Sequence, residues 1–209
     1  MQTRVKLVLA GLASALLLAL SISASANNLS ASNGRIRVVW STLVLASTSE
    51  GIPRVTCPVT LEGSFHSATI RKVAGALVGL VSRASVVPAS CTGGTVTIGQ
   101  EALPWHARYQ AFSGTLPNIT GVTIATVGAR WRFTVEGITC GATSTTASPG
   151  VGILNVSGGR VTSLTAETSS NIPFEGSVFC ETSIGRAIFT GAGSVSALGT
   201  TTAISIRLI

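Results

Sequence analysis

The residues best able to do chemistry in this chain are its four cysteines, Cys57, Cys91, Cys140 and Cys180. Sulfur at such positions can bridge, hold a metal or attack as a thiolate. A metal site needs closely spaced ligands. No CxxC occurs, and neither His66 nor His106 stands beside a cysteine pair. An even cysteine count in an exported chain favours structural bridges over reactive thiols. Several pairings are open to four cysteines. Sequential order, Cys57 with Cys91 and Cys140 with Cys180, is the expected one, because each bridge then closes a loop within one half of the chain. On a chain-entropy estimate each bridge restricts the unfolded state by roughly 3–4 kcal/mol.

Other chemistry is thinly provided. His66 and His106 are the possible imidazole bases. The chain has no aspartate, which removes the usual orienting acid of a Ser-His-Asp triad and the common ligands of calcium loops. Of the seven glutamates, Glu62, Glu101, Glu136 and Glu175 are candidates for the paired carboxylates of a glycosidase, but none is paired with another at short range. There is no G-x-S-x-G elbow, no phosphate-binding glycine loop and no H-E-x-x-H helix. The expectation is a non-enzymatic protein without metal or cofactor. The alternative is a secreted hydrolase whose cleft gathers His66 or His106 with a glutamate and a serine.

The elements that must position these residues read as strands. Valine, isoleucine, threonine and serine dominate, with glycine at short intervals. Leu103 to Phe112 alternates, with Leu103, Trp105, Ala107, Tyr109 and Ala111 on one side and His106, Arg108 and Gln110 on the other. Leu103, Trp105 and Tyr109 form a candidate apolar surface, which either lines a groove or packs in a core. Gly121–Val127 and Ala129–Glu136 are expected to pair around Gly128, with Trp131, Phe133 and Val135 on one face. Ile172 to Cys180 reads as a strand. Ile70 to Val81 is open to strand or helix, since Val73, Leu77, Leu80 and Val81 fall near one helical face while Gly75 and Gly79 oppose a helix. Many short strands with frequent turns predict an all-β fold, an antiparallel β-sandwich or jelly roll stabilised by two disulfides. An outer-membrane barrel needs aromatic girdles, and the aromatics here are few and dispersed.

The first residues read as an export leader. Arg4 and Lys6 precede an apolar run from Leu7 to Leu20, and Ala24-Ser25-Ala26 supplies the small residues of a cleavage site. Residues 1–26 are the expected signal peptide. Residues 27–209 are the expected secreted domain, with two similar halves, about 27–136 and 137–209, as a variant. The expected location is secreted or cell-surface, periplasmic in a Gram-negative source, without a transmembrane anchor. Net charge is +7, but the arginines are scattered rather than gathered into a stripe, which argues against nucleic acid. A cell-envelope component or an apolar ligand is the expected partner.

One constellation points to a known group. Cys57 is followed by Val59-Thr60-Leu61-Glu62-Gly63. Cys91 precedes Leu103-Pro104-Trp105. Cys140 is followed by a Gly/Ser-rich stretch and by Phe174-Glu175-Gly176 just before Cys180. This order resembles the small exported bacterial proteins named as activators of alkane oxidation, and related uncharacterised secreted proteins. The chain is more basic than that group and carries long insertions after Gly63 and after Trp105. The resemblance implies a non-enzymatic, extracellular accessory role in the use of apolar compounds. It supplies no catalytic residues.

Overall fold

The computed structural model describes residues 28–49, 54–115, 117–167, 171–176, 178–182 and 185–209. The expected leader lies outside the described residues. The strands are β1 (Asn28–Ala31), β2 (Arg35–Ser47), β3 (Val55–Phe65), β4 (Thr69–Arg71), β5 (Leu77–Val86), β6 (Thr95–Ile98), β7 (Trp105–Thr115) and β8 (Asn118–Val127). They continue with β9 (Arg130–Val135), β10 (Ile138–Thr143), β11 (Gly150–Ser157), β12 (Arg160–Ala166), β13 (Ile172–Glu175), β14 (Arg186–Ala197) and β15 (Ile206–Leu208). One short helix, α1 (Val178–Thr182), lies between β13 and β14.

The antiparallel all-β class and its two disulfides are as the composition leads one to expect. The strand order adds that the largest sheet closes on itself. β2 pairs with β3, β3 with β5, β5 with β7, and β7 with β8. β8 then pairs with β11, β11 with β12, β12 with β14, and β14 returns to β2. Each barrel strand therefore neighbours the next barrel strand along the chain, and the ring has no free edge. Closure takes strands from both halves of the sequence, from β2 to β14.

The period-two pattern sets inside and outside. On β2, Ile36, Val38 and Trp40 face the interior, while Arg35 and Arg37 face outward. Outside, Glu62 on β3 lies between Arg37 of β2 and Arg83 of β5, at 3.7 and 3.4 Å. Asn155 on β11 donates from Nδ2 to the Ser163 and Thr165 hydroxyls of β12. Apolar within and polar without is the inverse of a barrel whose outer band meets lipid. Among the described residues no helix is long and apolar enough to cross a membrane. Register shifts interrupt the ladders of β2, β3, β5, β7, β11 and β14. Such bulges add the local twist and bend that closure demands.

Two departures from the expected elements have local causes. Gly121–Val127 and Ala129–Glu136 do form strands, but they do not pair with each other. At Gly128 the backbone takes φ +89° and its N–H donates to the Ser144 carbonyl, turning the chain out of the ring. β9 pairs instead with β10 and β6. The expected strand Ile172–Cys180 stops at Glu175, where Gly176 has φ +129°, and Cys180 falls in α1. For Ile70–Val81, open to strand or helix from its sequence, the structure has strand: β4 ends at Arg71 and β5 starts at Leu77, with Gly79 inside it.

Two satellites complete the core. β13, β10, β9 and β6 make a four-stranded arm joined to the ring at β13–β14. Its buried face carries Trp131, Phe133, Phe174 and Ile172. The Cys57–Cys91 bridge ties the chain just before β6 to barrel strand β3, so the arm is held on its far side too. Cys140–Cys180 ties β10 to α1. The second satellite, β15-β1-β4, contributes Leu29, Ile70 and Ile206 to the same continuous core.

Candidate functional site: an apolar barrel interior

The chain has three tryptophans, and all of them line one cavity. Trp40 comes from β2, Trp105 from the start of β7, and Trp131 from the arm strand β9. The Trp105 and Trp131 ring centroids are 5.5 Å apart, and Trp131 lies 5.3 Å from Phe189 of β14, in both cases tilted. Trp40 is fixed by its own N–H, which donates to the Gly191 carbonyl at 3.3 Å. The cavity volume is about 90 Å³. A second cavity of about 100 Å³ adjoins it, and Leu61, Thr126, Gly152 and Leu164 line both.

The sequence keeps this space open by placing small residues where the alternation points inward. Gly150, Gly152 and Ala166 border the first cavity, and Ala107 borders the second. The remaining walls are mostly aliphatic or aromatic, with Thr126 as the polar residue common to both and Ser64 bordering the second. Glu62 borders the second cavity, but its carboxylate is engaged by Arg37 and Arg83. One buried polar atom of a residue beside the first cavity is unusual. The Trp105 indole N–H is buried and has no hydrogen-bond partner among the described residues.

The residues singled out from sequence are divided by this geometry. Trp105 is 1% exposed and lines the tryptophan cavity, and Tyr109 is 3% exposed. Their shared face is therefore interior rather than a surface. Tyr109 borders a different depression, with Lys72 and Phe112, and burial pushes its hydroxyl pKa upward. Leu103 is partly buried against the core. Ala111, expected on the same face, is exposed because the register shifts between Tyr109 and Ala111. His66 and His106 are both exposed, His106 on the outer side of β7. The glutamates with side-chain partners engage arginine or threonine: Glu62 as above, Glu101 with Arg130, and Glu175 with Thr143.

Sequence reasoning missed Trp40, Phe189, Thr126 and Leu164 as co-lining residues. Each lies on an inward position of its own strand, so alternation assigns each a face. Nothing local says that these faces meet. In the bridges the expected pairing is the observed one, Cys57–Cys91 and Cys140–Cys180.

What the arrangement can do chemically is hold an uncharged, mostly apolar molecule by dispersion and desolvation. Among the described residues no charged side chain lines the tryptophan cavity, and burying an unpaired charge there is costly. No protein-family model, curated protein or solved structure matches this chain.

Proposed function

We propose that this protein works outside the cytoplasm as a non-enzymatic binder of small apolar molecules, which it takes into the barrel interior. The observation that carries the reading is the convergence of all three tryptophans on one apolar cavity. A space of about 90 Å³ among core side chains forgoes the dispersion contacts that filling it would bring. A larger residue at Ala166 would recover part of that. Retaining the space is physically reasonable where something occupies it. Either cavity is smaller than the ~150 Å³ space known to take up benzene, whereas the two together exceed it. An eight-stranded ring is also the size at which a barrel can hold one small ligand.

Export is supported by the leader-like first residues and the two bridges. The resemblance to exported alkane-oxidation activators agrees with an accessory role in handling apolar compounds. The test is titration of the natively oxidised protein with toluene, ethylbenzene and hexane. Tryptophan emission and melting temperature are the readouts. Saturable emission changes with a raised melting temperature are expected. If none of the three compounds moves either readout, the reading fails.

A further inference from the structure

A separate depression lies at the end of β4, lined by Asn28, Arg71, Lys72, Val73, Tyr109 and Phe112. None of these residues borders either interior cavity. Its volume of about 600 Å³ is in the range of small-molecule pockets. Backbone bonds fix its rim. The Gly75 N–H donates to the Tyr109 carbonyl at 2.8 Å, and the Tyr109 N–H donates to the Ala76 carbonyl at 2.9 Å. Arg108 Nη1 donates to the Gly75 carbonyl at 3.0 Å. The loop over residues 72–76 is thereby pinned to β7.

The chemistry of the lining is cationic on one side and apolar on the other. Arg71 is exposed and makes no ion pair with a described residue. Lys72 Nζ is held 5.4 Å from the Phe112 ring centroid. No acidic residue lines the depression. Val73 is 61% exposed, and Phe112 is half-buried. Tyr109 is 3% exposed, and its hydroxyl has no hydrogen-bond partner among the described residues. Yet this oxygen is not sealed off, as the Trp105 and Arg108 Nε nitrogens are. What remains accessible of Tyr109 therefore includes the hydroxyl, which opens on the depression. A phenol donor beside a guanidinium is a pair from which a carboxylate accepts well.

We infer that this depression binds a small organic carboxylate with an apolar body, whose oxygens accept from the Tyr109 hydroxyl and the Arg71 guanidinium while the body lies against Val73 and Phe112. Lys72 adds a second positive charge. The inference does not depend on the barrel interior being a binding site.

Phenylacetate and 2-phenylethanol share a skeleton and differ in charge. Calorimetric titration of both against the oxidised wild-type protein, Tyr109→Phe and Arg71→Gln isolates the two contacts. Tyr109→Phe removes only the hydroxyl and weakens phenylacetate roughly ten-fold, as expected of a hydrogen bond to a charged group. Arg71→Gln weakens it roughly two- to five-fold, as suits an exposed charge pair. The affinity of 2-phenylethanol is indifferent to both. Acetate, which lacks the body, and glucuronate, whose body is polar, bind more weakly than phenylacetate. Phenylacetate binding that neither substitution weakens, or equal losses for the two phenyl compounds, overturns the inference. Acetate or glucuronate binding as tightly as phenylacetate overturns the ligand class. A further readout needs no variant. In the assigned spectrum of the wild-type protein, phenylacetate shifts the Val73 methyl signals and leaves the Trp40 and Trp131 indoles in place. Shifts at those indoles instead would put the compound in the barrel interior and overturn the inference. If phenylacetate does not bind wild-type protein, this inference fails and the interior reading stands on its own test.

Discussion

The indole of Trp40 lies against the backbone of Gly193, so close that a Cβ built on Gly193 would stand 2.7 Å from Trp40 Cδ2 and 2.8 Å from Cε2. Gly193 belongs to the stretch of β14 where pairing with β2 is interrupted between Thr190 and Ser194 while pairing with β12 continues, Gly193 opposite Leu164. The point at which the ring closes is therefore also the seat of a cavity-lining tryptophan. Gly193→Ala has no room for its methyl unless the indole shifts. Overpacking of this kind costs about 1–3 kcal/mol. Denaturant unfolding followed by tryptophan emission is expected to show that loss, with a shifted native spectrum. An unchanged midpoint would mean that the indole is free to move.

Filling the interior separates binding from folding. Ala166 borders the tryptophan cavity and Ala107 the adjoining one. Ala166→Leu places extra methyl groups in open space, so the usual overpacking cost of about 1–3 kcal/mol is avoided. The expected result is an equal or higher melting temperature and no further rise with ethylbenzene. Ala107→Leu should weaken binding of the longer hexane more than that of toluene. A variant that melts normally and binds as the wild type does would place the site elsewhere.

The bridges differ in what they hold. They close loops with sequence separations of 34 and 40 residues, and each is worth roughly 3–4 kcal/mol on the chain-entropy estimate. Replacing either pair by serine should lower unfolding free energy by an amount of that order. Removing Cys57–Cys91 also frees one side of the arm that carries Trp131 across the tryptophan cavity. Ethylbenzene should then dissociate faster from that variant than from the Cys140/Cys180 variant. Stopped-flow emission measures both, and equal rates would show that the bridge does not steady the arm.

Tyr109 is the chain's single tyrosine, so its titration can be read directly from ultraviolet absorbance. Burial favours the neutral phenol and pushes its pKa above the ordinary value. The sign follows from which state holds the proton longer. Below about pH 10, the unfolded tyrosine value, this contribution to stability is fully present. It is lost as pH rises from there through the folded value. The native absorbance midpoint should lie above that of the denatured protein, and Tyr109→Phe should remove this part of the alkaline loss. Coincident midpoints would show that the hydroxyl is as well hydrated as in the unfolded chain.

Much of this architecture is written locally. Alternation along Leu103–Phe112 and along Arg35–Trp40 assigns each residue a face, since successive side chains on a strand point to opposite sides whatever the neighbours are. The order of the bridges is likewise legible, because nearby cysteines meet most easily through short loops. The departures come at glycines with positive φ and at bulges. Gly128 sends β9 out of the ring, Gly176 ends β13, and a register shift exposes Ala111. Each is a one-residue event that leaves the composition of its segment unchanged.

By itself the sequence determined a disulfide-linked antiparallel β-protein with one apolar face per strand. Only the tertiary structure decided that those faces turn inward on a common space and that Trp40, Trp105 and Trp131 share it. The physical reason is range. Face assignment needs only a period of two, whereas closure depends on which distant strands exchange hydrogen bonds and on how far the bulges coil them.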